Sequence, residues 1–147
     1  MQFVTEDEPD LTLPDESIHR ARLEEITLRE FPWTDRDGTA KTGTTLDWWW
    51  KVTQTRLGDE YVGRRVKGEC NPKLSNRGNN RFRMWAEALL NREIPVGMAI
   101  DTEDLLGLEA EIVIGLRDDK KDPLKKWEFV SDVISVDGAG FGGEAPF

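Results

Sequence analysis

Three consecutive tryptophans, in Leu46-Asp47-Trp48-Trp49-Trp50-Lys51-Val52, hold the side chains in this chain most suited to specific chemistry. The stretch reads as a β-strand, whose side chains alternate between faces. Leu46, Trp48, Trp50 and Val52 then share a core face, while Trp49 stands with Asp47, Lys51 and Thr53 on the other. An indole beside a cation on a polar face has no folding purpose. It can stack on an unpaired base while the cation screens the phosphate.

The other reactive residue types are scarce. Cys70 is the only cysteine and His19 the only histidine. An internal disulfide is excluded, and too few soft ligands remain for zinc. Nucleophile chemistry of the Cys-His or Ser-His-Asp kind would have to use His19, which falls in the predicted first strand. Gly38 to Gly43 has the glycine spacing of a phosphate loop, but Thr44 occupies the lysine position and a strand follows in place of a helix. Asp35-Arg-Asp37-Gly38 begins like a calcium loop and lacks the closing ligands. We therefore expect no catalytic centre, metal or cofactor, and no enzymatic activity.

The net charge of −9 is unevenly distributed over the 147 residues. Residues 1–16 carry six acids and no base, and residues 132–147 three acids and no base, so the middle balances. Within it, Arg56 to Arg83 holds eight bases (Arg56, Arg64, Arg65, Lys67, Lys73, Arg77, Arg81, Arg83) against three acids. A solvated face is the ordinary explanation of such a run. The neighbouring aromatic argues for phosphate screening. No apolar run reaches membrane-spanning length, and acids fill the N-terminal stretch where a signal peptide would be basic and apolar, so a cytoplasmic protein with no membrane partner is expected.

Patterning divides the chain into an acidic mobile leader (1–16), a domain (17–136) and a flexible Gly-rich acidic tail (137–147). A first strand from Ser17 to about Phe31 breaks its period between Leu23 and Ile26, predicting a bulge at Glu24-Glu25. A loop from Pro32 to Gly43 holds Trp33, whose ring either lids the domain or stacks on a ligand. The tryptophan strand ends near Thr55, and Tyr61 to Gly68 reads as a third strand. Val62 and Val66 would face inward there, with Tyr61, Arg65 and Lys67 beside Trp49 and Lys51. Phe82, Trp85, Ala86, Leu89 and Leu90 mark an amphipathic helix with Trp85 as core anchor. Asp101 or Thr102 caps a short turn, and Ala110–Leu116 and Trp127–Val136 are two last strands. The fold class is mainly β: three strands, a helix and two strands is the order of the five-stranded OB-fold barrel, with one helix between strands 3 and 4 and flexible acidic ends. Lysines in the loop between the last strands lie among Asp118, Asp119 and Asp122, which cancel much of their field.

The chain resembles the single-stranded DNA-binding proteins of bacteriophages and bacteria. The likeness runs from Leu13-Pro-Asp-Glu-Ser-Ile-His-Arg-Ala-Arg-Leu-Glu-Glu-Ile26 through the tryptophan strand to Asp104-Leu-Leu-Gly-Leu-Glu-Ala-Glu-Ile-Val-Ile114 and the last strand. The terminus Gly142-Gly-Glu-Ala-Pro-Phe147 is similar to the acidic Pro-Phe tip by which bacterial members recruit replication and repair enzymes, though that tip carries several acids and this one Glu144 with Asp137 further back. The resemblance implies DNA replication, recombination or repair in the host cell cytoplasm, with Glu144, Pro146 and Phe147 as a partner-binding tip. The expected nucleic-acid contacts are Trp49, Lys51, Tyr61, Arg64, Arg65, Lys67, Lys73, Arg77, Arg81, Arg83 and Trp33. The acidic tail would compete with DNA for that surface. An OB-type protein-interaction module, with Trp49 as contact hot spot, is the rival reading. Homo-oligomerisation and a choice between DNA and RNA stay open.

Overall fold

The protein is described by a computed structural model at residues 1–3, 12–75, 77, 79–122 and 124–136. Among these residues five strands form a single antiparallel sheet: β1 (Ile18–Thr34), β2 (Ala40–Gln54), β3 (Arg65–Cys70), β4 (Glu109–Asp118) and β5 (Lys126–Ile134). Their order is β3-β2-β1-β4-β5, which leaves β3 and β5 as edges. Among the described residues one α-helix, α1 (Arg81–Leu90), connects β3 towards β4. The sheet is mainly what the alternation predicts, but among the described residues no ladder joins its two edges, so it is not closed. No helix among the described residues is long and apolar enough to cross a membrane.

Aromatic packing joins the sheet to α1. Trp48, Trp50, Val52 and Leu46 of β2 are buried, as the two-residue period requires. Trp48 and Trp50 lie nearly parallel, 6.3 Å between ring centroids, and Trp85 of α1 meets them edge-on at 5.4 and 6.5 Å. Such edge-to-face pairs add about 0.5–1.5 kcal/mol beyond area burial. Close approach fixes a glycine opposite Trp48. A Cβ on Gly68 would lie 2.6 Å from Trp85 Cη2 and 3.0 Å from Val130 Cβ, so β3, α1 and β5 converge at that point. Helix α1 buries Phe82, Trp85, Ala86 and Leu89, is capped by the Asn80 side chain on Arg83 N–H, and ends on left-handed Asn91. Asp101 caps the later 3-10 turn (Thr102–Leu105) through Glu103 N–H.

The predicted bulge is present. Leu23 pairs with Trp50 and Glu25 with Trp49, leaving Glu24 as the extra residue. β1 pairs with β4 only through Arg22, and β3 pairs with β2 only from Leu46 onward. Beyond those points β1 and β2 continue as a two-stranded arm that turns at residues 35–39.

Four sequence expectations need correction. Pro32 to Gly43 is not a loop: β1 runs to Thr34 and β2 starts at Ala40. Proline is tolerated at position 32 because only β2 pairs with that part of β1. Tyr61 is not on β3 but in a 3-10 turn (Asp59–Tyr61) that packs against the core. Val62 is exposed, because Gly63 at φ 95° turns the chain before β3 begins. Finally, the leader is not free throughout: Leu13 is fully buried, Leu13 N–H donates to Glu128 Oε2 at 2.7 Å, and Glu16 N–H donates to the Ile114 carbonyl. Residues 4–11 and the tail 137–147 lie outside the described residues.

Candidate nucleic-acid interface

The alternation that buries Trp48 and Trp50 leaves Trp49 and Lys51 half-buried on the opposite face. Register then decides their neighbours. Trp49 sits across from Lys67, and Lys51 across from Arg65. The Arg65 guanidinium carbon lies 5.0 Å from the Trp49 ring centroid and Lys67 Nζ 5.8 Å away, both within cation–π range. The expected grouping of Trp49, Lys51, Arg65 and Lys67 is thus present on one face.

Carboxylates hold these cations. Arg65 bridges Glu24 Oε1 at 3.5 Å and Glu25 Oε2 at 3.4 Å. Lys67 reaches Glu69 at 3.1 Å and Asp47 at 4.0 Å. Asp47 is itself buried beneath Arg29, whose guanidinium donates to it at 2.8 and 3.3 Å and to Glu69 at 2.9 Å. The hydrogen bond to Asp47 is the chief reason that the Arg29 pKa is raised above its ordinary value.

A cleft of about 910 Å³ opens beside Trp49, floored by Leu13, Val66 and Leu116. Its far wall is the β4–β5 end, with Arg117, Lys125, Lys126 and a second indole, Trp127. Trp127 is 48% exposed, and Lys125 Nζ stands 4.3 Å over its ring. Its indole N–H donates to Asp119 Oδ2 at 2.9 Å. The Lys121 amide first, and that indole after it, hold the Asp119 carboxyl below its usual range. Lys126 pairs with Asp118. Sequence reasoning missed Trp127 and Arg117. The signal was available, because counting back from buried Val130 along β5 puts Phe129 and Trp127 on the outer face beside the lysines.

The remaining predicted contacts are elsewhere or engaged. Arg64 lines the cleft, but its guanidinium is bound to Glu128, tying β3 to β5. Tyr61 has no place beside Trp49 on β3. Trp33 lies near the end of the arm, 45% exposed, with Lys41 Nζ 5.6 Å over its ring. Lys73, Arg77 and Arg81 line a separate cleft of about 460 Å³ with Asn71 and Asn80. Arg81 donates to the Glu69 carbonyl at 3.1 Å and covers Trp85. Arg83 is paired with Glu87 at 3.3 Å along α1. Glu144, Pro146 and Phe147 are outside the described residues.

His19 and Cys70 are embedded in packing. His19 is buried, with Nε2 2.7 Å from Ser17 Oγ and Nδ1 2.7 Å from Thr55 Oγ1. Cys70 Sγ accepts from the Trp48 indole at 3.1 Å, and burial pushes its thiol up to about 11.

No protein-family model matches this chain, and no curated protein matches it.

Proposed function

We propose that the protein binds single-stranded nucleic acid, DNA foremost, as a non-enzymatic phage-type single-stranded DNA-binding protein. One observation carries the reading: two part-exposed indoles, Trp49 under Arg65 and Lys67 and Trp127 under Lys125, face one cleft between β2–β3 and the β4–β5 end. Aromatic platforms flanked by cations suit bases whose faces are unpaired, at about 1–3 kcal/mol per stacked base. Because every base has a π-face, sequence preference is weak, and phosphate contacts make affinity fall with salt. In this reading the sheet is an open OB barrel whose edges meet at Gly68 and Val130, and the cleft is its ligand face. A role in replication, recombination or repair, and recruitment of partners by Glu144, Pro146 and Phe147, rest on the family resemblance alone.

One observation favours the rival, a protein-interaction module. The cations around Trp49 are matched by carboxylates, a mixed-charge surface around an aromatic anchor. Titration with labelled oligo-dT at low salt separates the two. The expected result is binding that quenches tryptophan fluorescence, is reversed by salt, and weakens about 5- to 150-fold in Trp49→Ala and in Trp127→Ala. Absence of binding at low salt rejects the nucleic-acid reading and leaves the module.

A further inference from the structure

The guanidinium over Trp49 is clamped by two carboxylates that a phosphate would have to displace. Both come from the β1 bulge. Inserting Glu24 between the Leu23–Trp50 and Glu25–Trp49 pairs brings two successive acids to one side of Arg65, where a regular strand would send them to opposite faces. From the other strands packed on this face, Asp47 and Glu69 take up Lys67 and Arg29 in the same manner.

Resting on the nucleic-acid reading, we propose that Glu24 and Glu25 are specificity residues that make the cleft reject duplex and other base-inaccessible polyanions. A carboxylate imitates a phosphate oxygen. Exchanging one for the other at Arg65 therefore returns little free energy, and the freed acids must be neutralised by solvent cations. A ligand offering only phosphates gains almost nothing. An unpaired strand is held by a base on the Trp49 ring and need not take Arg65 from its carboxylates, which spares it the exchange that a phosphate-only ligand must make. The acids thus lower affinity for the wrong ligand more than for the right one.

The test compares wild type, Glu24→Gln/Glu25→Gln and a charge-matched control, Glu103→Gln/Asp104→Asn on the 3-10 turn, for binding labelled oligo-dT, blunt duplex DNA and heparin at one salt concentration. We expect the bulge variant to gain about tenfold for duplex and heparin but threefold or less for oligo-dT. The control gains equally and slightly for all. The log K against log salt slope of the bulge variant steepens, because its phosphate contacts no longer free carboxylates. Glu25→Gln alone moves the duplex-to-single-strand ratio in the same direction by a smaller factor, which covers any disturbance of the bulge by the double change. Wild-type binding to oligo-dT with an unchanged ratio in both variants overturns the filter and leaves the cleft. Failure of every protein to bind oligo-dT overturns the cleft reading and the filter with it.

Discussion

Among single residues, His19 makes the strongest claim on stability that pH can read. Burial lowers its pKa from the ordinary 6.5, so the folded protein keeps the ring neutral. The unfolded chain binds a proton below about pH 6.5 that the folded chain refuses. The stability this depressed pKa protects is therefore complete above the unfolded value and lost as pH falls below it. Urea unfolding between pH 7.5 and 5.5 should show His19→Asn less stable than wild type at the upper end, with the two curves converging towards the lower. Parallel curves would remove His19 as the titrating group. His19 is readable from sequence only as a strand residue; its partners Ser17 and Thr55 flank the first residue of β1 and the last of β2, and the register of the two strands brings them together. Trp49 was legible because its neighbours Trp48 and Trp50 declare the core face. Trp127 is equally legible by the same count, although the charges of the loop it follows largely cancel and give no sign of the ring at its end.

At the level of elements, the helix, the bulge and the pairing of β2 with β3 follow from periodicity, and the misplaced strand ends share one cause: whether a turn-forming residue ends a strand depends on its partner across the sheet and on its φ, neither of which periodicity carries. Pro32 sits in an edge-like part of β1 where its missing N–H costs nothing, so the strand continues, whereas Gly63 ends the extended run that Tyr61 and Val62 suggested. The arm that results has little beneath it. Its cross-strand supports are local: the Phe31 ring lies over Gly43, where a Cβ would fall 2.5 Å from Cζ, and Lys41 covers Trp33. A two-stranded ribbon is marginal alone. Amide hydrogen exchange should therefore be faster by about tenfold or more for the paired amides of residues 30–34 and 40–44 than for Trp48 to Val52. Equal protection would mean that the arm is held by a contact outside the sheet.

For the molecule as a whole, the question is what keeps the two sheet edges facing each other without a ladder between them. Arg64, just before β3, and Glu128 of β5 form the polar strap, and the second Glu128 oxygen takes Leu13 N–H, which helps to hold Leu13 in the core. The sequence sets Arg65 beside Trp49 and offers Arg64, its neighbour in the basic run, as a further phosphate contact. Their places in the fold separate them: Arg64 faces a largely buried carboxylate across the edges, while Arg65 lies on the outer face against Trp49. A charge-assisted bond to a part-buried acid contributes about 1.5–3 kcal/mol, whereas the exposed pairs of Arg65 contribute about 0.2–1 kcal/mol each. Arg64→Ala should lower the urea midpoint by a free energy of about 1–3 kcal/mol while leaving oligo-dT affinity of the folded protein near wild type. Arg65→Ala should do the reverse, keeping stability within about 1 kcal/mol and weakening binding, because its loss strips the cation from the Trp49 platform. Equal losses of affinity in both would show that the edges are held by aromatic packing at Gly68 and that Arg64 is a phosphate contact after all.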